Sequence, residues 1–429
     1  MKVYIETYGC SANKSDSEIM AGLLKKNGFD IVPISSADVI IINTCFVKKP
    51  TEQKIFHRIE DLQKKFPWKK MIIVGCMPEV LSKKLREIAP NASLISTHHV
   101  KDIVNVVNAV IKGRRIELIG KSKNVKVCIE KFRENPLINI VQIASGCKSA
   151  CSYCCVKLAK GDLFSYPIDL IVNDIKKGLK DGCKEIWLTS QDCGCYGFDI
   201  NTNIAELLEN IVKIRRKFFI RVGMMNPQHI YNFLDELIEV YKNPKIYKFI
   251  HIPVQSGSDK ILKLMKRGYK IEKFRYIIKR FKKEFPYITI STDIIVGFPY
   301  ETGNDFMKTV NLLKWLKPDV TNISRFGPRP FTEAEKMKMI ENKIIKKRSK
   351  IIGEISKNIS FLNNKKWVGW EGEVFINEIG KFKNQYIGRN FAYKPVLIES
   401  KKNLLGKFLN VKIIEAKNSH LVGKFKFSK

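Results

Sequence analysis

The sequence predicts an α/β protein built in three parts: a small open parallel α/β domain, a larger barrel or partial barrel of strand–helix units, and a small β-barrel. Three observations predict it. Up to residue 331, short apolar runs rich in Ile and Val alternate with segments whose apolar residues recur every three or four positions, as buried parallel strands with crossover helices do. This alternation breaks once, over the charged stretch 113–135. From residue 363, short strands punctuated by Gly replace the helices, which is the pattern of a small barrel. A chain of 429 residues is in any case too long for one modest core.

The first domain, 1–112, opens with a strand at 2–7, and Asn13 can cap a helix carrying Ile19, Met20, Leu23 and Leu24. A second strand follows at 37–43, near-continuously apolar. Then come a helix through Ile55, Ile59 and Leu62, a third strand at 70–75, and helices at 81–88 and 103–111. Cys10, Cys45 and Cys76 follow the first, second and third strands. Neighbouring parallel strands end on one edge, where ligands bind. Three thiols with 34 and 30 residues between them thus become neighbours in space, a ligand set of three. Gly9 and Gly75 precede two of them and let the backbone turn close to a bound group. The stretch 113–135 is expected to be a linker with a short strand at 126–130, and Cys128 is a structural thiol.

The second domain, 136–331, begins with an apolar strand that runs straight into Cys147, Cys151 and Cys154, spaced C-x3-C-x2-C. Three thiols within eight residues at a strand's carboxyl end cannot all enter a core, but they can converge on a metal. Zinc asks for four ligands. A triplet with no fourth partner nearby fits a [4Fe–4S] cluster with one iron open, the competing readings being a zinc knuckle or buried free cysteines. Strands are expected at 185–189, 218–222, 247–254, 289–296 and 320–326, with helices at 168–179, 204–214, 231–241, 260–265, 271–285 and 305–316. Their carboxyl ends carry Gln191 and Asp192, Arg221, Gln255 with Ser256, Asp293 with Gly297, and Arg325, so these are the candidate contacts of the barrel mouth.

A lysine-rich amphipathic helix connects the domains over 332–362. The tail, 363–429, holds 14 Lys plus Arg against five Glu, interleaved with Phe382, Tyr386, Phe391 and Tyr393, which could stack on bases, half of them being expected to fill the core instead. Lys and Arg total 77 against 42 acidic residues, a formal charge of +35 that calls for a polyanionic partner, nucleic acid before any other. No run of 18 apolar residues exists, so no membrane span is expected, and MKVYIETYG reads as a strand and not as a signal peptide. Eleven cysteines in a protein expected to be cytoplasmic point to metal or redox chemistry, since disulfides would be reduced there.

The C-x3-C-x2-C triplet, with Tyr153 before its last cysteine, resembles the radical S-adenosylmethionine signature. With Cys10, Cys45 and Cys76 ahead and the basic β-barrel behind, the chain resembles a methylthiotransferase carrying a TRAM domain. NTCFV (43–47), VGCMP (74–78), ASGCKSACSYC (144–154) leading into VKLAKGDLFSYP, EIWLTSQDCGCYG (185–197), RVGMMNP (221–227), HIPVQSGSDKILKLMKRGY (251–269), TDIIVGFPYET (292–302) and FGPRPFTEAEKM (326–337) are similar to the archaeal and eukaryotic branch of that family, which acts on N6-threonylcarbamoyladenosine at tRNA position 37. The resemblance implies a TIM-like partial (β/α)6 barrel, S-adenosylmethionine and two [4Fe–4S] clusters. Cys147, Cys151 and Cys154 would hold the cluster that generates a radical, and Cys10, Cys45 and Cys76 the cluster that presents sulfur. Tyr153, Gln191, Asp192, Arg221, Gln255 and Asp293 would contact the cofactor or the base. It also implies a tRNA substrate, an electron donor (a reductase, flavodoxin or ferredoxin) and a sulfur source. Acceptors in neighbouring branches are N6-isopentenyladenosine-37 of tRNA and a ribosomal-protein aspartate, and a non-catalytic iron–sulfur or zinc RNA-binding protein is the alternative of another class. Two departures stand out. Lys160 occupies a position where the branch often has Arg, a loss of bidentate geometry if a phosphate binds there. Cys155, Cys193 and Cys195 are extra thiols near the active edge.

Overall fold

β-Branched runs build the N-terminal sheet, and their alternation decides which helices cover it. In the computed structural model, which describes residues 1–425, six parallel strands lie in the order Asp30–Ile31, Lys2–Thr7, Val39–Thr44, Lys70–Gly75, Ser93–Ser96, Glu117–Leu118. Lys426 and Lys429 of the basic tail lie outside the described residues. Ile40, Ile42 and Ile73 face one side, packed on Ile55, Ile59 and Leu62 of helix Lys49–Lys65 and on Leu85 of helix Cys76–Ile88. Val39, Ile41 and Ile72 face the other, against Met20 and Leu24 of helix Ser11–Lys26 and Val106, Val107 and Val110 of helix Ile103–Ile111. With both faces covered, Val39–Thr44 is buried along its whole length.

Two expectations change in this region. The helix expected from 81 is preceded by a further turn that begins at Cys76 and is kinked from it at Leu81 (φ −121°), with Pro78 in that first turn, where a missing N–H costs nothing. No strand forms at 126–130. Instead Glu117–Leu118 joins the sheet as its sixth strand, and Lys126 is buried against Asp16.

The central domain is an arc of six parallel strands, as the sequence predicts. Ile138–Gln142, Glu185–Thr189 and Phe219–Val222 pair in one group, and Phe249–His251, Thr289–Val296 and Val320–Arg325 in another. The parallel bridge Ile220–Ile246 joins the groups, and it shortens the fourth strand relative to the expected 247–254. On strand Glu185–Thr189, Ile186 and Leu188 face the surrounding helices, so Glu185, Trp187 and Thr189 face the lumen. The connector helix spans Asn342–Lys365 and packs on the last strand, covering the open edge of the arc. It starts later than expected because 332–341 serves as a strap over the cysteine loop, with Ala334 N donating to Ser152 O at 2.9 Å.

The tail closes into a five-stranded barrel in the order Glu371–Ile379, Gln385–Asn390, Pro395–Glu399, Leu421–Phe425, Phe408–Ala416. It docks into the lumen of the arc. Asn377 donates to the buried carboxylate of Glu185 at 2.7 Å, and Phe408 and Tyr393 meet Phe219, Tyr247 and Phe249.

Candidate active site

The first cysteine trio forms where the parallel topology brings it together. Cys10 is the exposed N-cap of helix Ser11–Lys26, Cys45 is buried just past the second main strand, and Cys76 is the first residue of its helix. Gly9 and Gly75 make these turns at φ of +108° and +103°. A Cβ on Gly9 would lie 2.9 Å from Cys45 Sγ, and one on Gly75 would lie 2.5 Å from Thr44 O. Only glycine fits, and the strand ends close onto one another. Burial pushes the Cys76 thiol up to about 12, Cys45 and Cys10 adding to the rise while Lys160 opposes it. A thiol held protonated in this way is a poor nucleophile, and becomes a thiolate when a metal cation replaces its proton.

The second trio leaves strand Ile138–Gln142 through a tight loop. Gly146, at φ +74°, lies so close to Asp162 O that a Cβ would meet it at 1.9 Å. Cys147, Cys151 and Cys154 are partly buried, and burial with the Cys151 charge pushes Cys154 up to about 12. Donors aim at these sulfurs. Ser149 N lies 3.4 Å from Cys147 Sγ, and Arg267 Nη1 lies 3.5 Å from Cys151 Sγ. The Cys195 thiol donates to Asp192 O at 3.3 Å, its sulfur, the Cys147 sulfur and an Asp192 carboxylate oxygen lie within 4.8 Å of one another, and the neighbouring thiol lowers the Cys147 pKa. A loop whose thiols are paired to fixed cationic and N–H donors suits an anionic iron–sulfur cluster.

The two trios border one seam. Cys155, next to Cys154, packs in the same core as Cys45 and Cys76, with its Sγ 3.3 Å from Phe46 O. Arg329, 5% exposed, stacks over the Phe46 ring at 4.2 Å and donates to Phe46 O at 2.7 Å, while pairing with Glu52.

The barrel-mouth candidates divide. Gln191 has a buried Oε1 with no hydrogen-bond partner, an acceptor waiting for a donor. Gln255 sits at φ +71°, a conformation held by main-chain bonds to Asp293 and Ile295. Asp293 lies in the lumen, 2.9 Å from His251 Nε2 and 2.7 Å from Asn322 Nδ2; burial raises its pKa, but the His251 and Asn322 contacts outweigh it and hold the carboxyl below its usual range. Tyr153 packs edge-on to Phe298. Arg325 is exposed at the strand end, and Ser256 is buried beside Thr309.

Asp192 stands at the active edge: its Oδ1 accepts from Gly194 N and Asn226 N and so builds the turn that carries Cys193 and Cys195, while its carboxylate also lies beside the Cys147 sulfur and 3.6 Å from His229 Nε2. Cys193 is buried in the core, with Gly223 pressed against its sulfur. Arg221 is not at the mouth. Its guanidinium lies deep in the lumen, 5.3 Å from the Trp187 ring and 5.6 Å from that of Tyr393, because lumen-facing positions on a four-residue strand point at the docked barrel. Tyr393 is thereby removed from the base-stacking set, Tyr386 packs on the barrel core, and Phe382 and Phe391 remain exposed at 65% and 36%. Cys128 is an exposed thiol at φ +61°, its Sγ donating to Leu170 O at 3.3 Å. Lys160 reaches no surface where a phosphate could bind, being 3% exposed and paired to Asp16.

Arg267, His251 and Arg329 were not singled out from the sequence. All three fall inside motifs that were (LMKRGY, HIPVQ and GPRPF), so the signal was a charged residue inside an otherwise apolar or turn-forming run.

The comparisons agree with this architecture. Residues 2–97 match the "Uncharacterized protein family UPF0004", 141–313 the radical SAM superfamily and 365–426 the TRAM domain. Among solved structures, a radical S-adenosylmethionine methyltransferase, TsrM, from Kitasatospora setae, with cobalamin and a [4Fe-4S] cluster bound, shares the fold with a TM-score of 0.58 at 14% identity, over 78% of this chain and 74% of that one. The chain is 40% identical over 98% of its length to the "Probable threonylcarbamoyladenosine tRNA methylthiotransferase" of Methanothermobacter thermautotrophicus, covering 99% of it. It is 37% identical over 98% of its length to the "Threonylcarbamoyladenosine tRNA methylthiotransferase" of Homo sapiens and to that of Drosophila melanogaster, covering 73% and 77% of them. On its domains, its fold and this full-length similarity, the chain belongs to the threonylcarbamoyladenosine tRNA methylthiotransferase family of radical SAM enzymes.

Proposed function

We propose that this enzyme adds a methylthio group to C2 of N6-threonylcarbamoyladenosine at position 37 of tRNA, with Cys147, Cys151 and Cys154 holding one [4Fe–4S] cluster and Cys10, Cys45 and Cys76 a second. The observation that supports the reading is that Cys155, next to Cys154, packs in the core that holds Cys45 and Cys76, so that the two cysteine edges border one seam. When bound, the clusters and S-adenosylmethionine supply radical formation at one edge and sulfur at the other, chemistry that a carbon with no useful acidity requires.

The chain's own residues hold and shield these groups. Arg267, pinned by a 3.0 Å bond to Pro253 O, presents its guanidinium to Cys151. Gln191 Oε1, free of protein partners, is positioned to accept from the amino group of S-adenosylmethionine or from the base. His251, Asp293 and Asn322 form a fixed polar row in the lumen that can orient the threonylcarbamoyl group. The basic C-terminal barrel grips the tRNA backbone, a contact that weakens with salt. An electron donor of the reductase, flavodoxin or ferredoxin kind and a sulfur source complete the reaction, in the cytoplasm. A polar row of this kind suits the hydroxyl- and carboxylate-bearing threonylcarbamoyl group better than an apolar isopentenyl chain.

The test is mass spectrometry of nucleosides from tRNA of a strain lacking this gene. Loss of the methylthio-threonylcarbamoyl nucleoside, restored by the parent gene and not by Cys151→Ala, is the expected outcome. An unchanged nucleoside profile would sink the substrate assignment.

A further inference from the structure

Where the N-terminal domain meets the barrel, the seam contains an excess of buried positive charge. Asp16 is fully buried, and Lys126 and Lys160 are 4% and 3% exposed. Lys126 Nζ lies 2.7 Å from Asp16 Oδ1, and Lys160 Nζ lies 3.6 Å from Asp16 Oδ2. Thr97 Oγ1 accepts from Lys160 and donates to Asp16 at 3.1 Å, while Gln142 Nε2 donates to the same carboxylate at 2.8 Å. His98, with ring nitrogens 3.0 Å from the carbonyl oxygens of Ser122 and Ala159, cannot supply negative charge. Two ammonium groups thus face one carboxylate. A buried charge without a counter-charge costs several kcal/mol even after relaxation.

The missing anion has an address. Asp16 lies on the helix that Cys10 caps, and Thr97 follows the strand whose last residue, Ser96, pairs with Gly75 beside Cys76. Lys160 ends the short helix Val156–Lys160, whose Ala159 packs in the same core as Cys45 and Cys76. An oxidised [4Fe–4S] core is doubly positive, so three thiolates make it a monoanion, the charge the seam lacks.

We infer that Lys160, locked between Asp16 and Thr97, is a positioning residue that supplies the counter-charge of the sulfur-presenting cluster on Cys10, Cys45 and Cys76. This rests on the proposed second cluster. Positive charge beside a cluster favours its reduced, more negative state, so Lys160 raises that cluster's potential and Asp16 limits the rise. Arg at this position would keep the charge, whereas an apolar residue would not.

The test uses the full chain with Cys147, Cys151 and Cys154 all changed to Ala, leaving one cluster to observe. Anaerobic redox titration read by electron paramagnetic resonance gives its midpoint. Lys160→Met should lower the reduction equilibrium constant about tenfold, or about 59 mV for one electron. Asp16→Asn should shift it in the opposite direction, and Lys160→Arg should stay close to the parent. A merely structural role would move Lys160→Met and Asp16→Asn the same way; that result, or an iron-loaded Lys160→Met with an unchanged midpoint, overturns the inference. If Lys160→Met folds by circular dichroism but holds no iron, loading in Lys160→Arg supports the counter-charge and failure in both overturns it. A parent triple variant without iron sinks the second-cluster reading itself, and this one with it.

Discussion

The two cysteine trios reach one seam by opposite routes. Cys147, Cys151 and Cys154 come from a single loop, and their geometry is largely local, set by Gly146 and Ser149, with Arg267 the one distant donor. Cys10, Cys45 and Cys76 come from three separate strand ends and exist as a set only once the parallel sheet has formed. The difference teaches where each site is vulnerable: the first to loss of one nearby donor, the second to anything that disturbs strand register or the turns at the sheet edge.

The largest expected effect separates the trios outright. Cys151→Ala should abolish reductive cleavage of S-adenosylmethionine and remove about four irons per chain, while Cys45→Ala should remove a similar number and keep the cleavage. Iron analysis with assay of 5′-deoxyadenosine checks both, and loss of cleavage in Cys45→Ala would break the division of labour. Next comes Gly75→Ala. Its Cβ would meet Thr44 O at 2.5 Å in a positive-φ turn, so iron at the N-terminal edge should fall sharply and stability should drop by roughly 1–3 kcal/mol, read from denaturant unfolding. Iron held by the loop trio should not change, and a matching loss there would show that the edges are not independent.

Arg267→Met should cost roughly 10–100-fold in S-adenosylmethionine cleavage, as removal of a partner to a metal ligand does, with Lys recovering part of it. Full activity in Arg267→Met would place the guanidinium outside the site. The smallest effect concerns the helix beginning beside Cys10. Burial pushes Glu18 up to about 7, and its Oε2 has no hydrogen-bond partner. A carboxyl whose folded pKa is raised contributes stability below its unfolded value, near 4.5, which is lost as pH rises through about 7. Glu18→Gln should therefore flatten the fall in melting temperature over that window, by on the order of 2–4 °C at pH 8. An unchanged profile would assign that pH dependence elsewhere.

The sequence made the backbone plan legible because its signals are periodic. Near-continuous runs such as Val39–Thr44 mark buried strands, and cysteines at their ends follow from topology alone. The cysteine spacing at 147–154 was legible for the same local reason. Side-chain direction was not. Arg221 stands in the expected strand yet points down the lumen toward Tyr393, and Asp192, beside the Cys147 sulfur, has its Oδ1 tied up by its own turn. Such choices depend on which distant surface arrives to fill the space, and no short-range pattern records that. The same holds for Lys126 and for Lys160, whose expected partner is a phosphate: their burial against one carboxylate emerges only when Asp16 is brought alongside.

The docking of the C-terminal barrel has a mechanical consequence. Glu185, buried and bonded to Asn377, Tyr247 and Trp187, and the rings of Phe219, Tyr247 and Phe408 weld the RNA-gripping barrel to the floor of the catalytic arc. The barrel is a fixed jaw and not a tethered arm, so the span from the exposed Phe382 to the cysteine seam is a constant of the fold. If the barrel grips the tRNA as proposed, this fixed span sets how far from the gripped backbone the reacting adenosine can lie, as the opening of a caliper does.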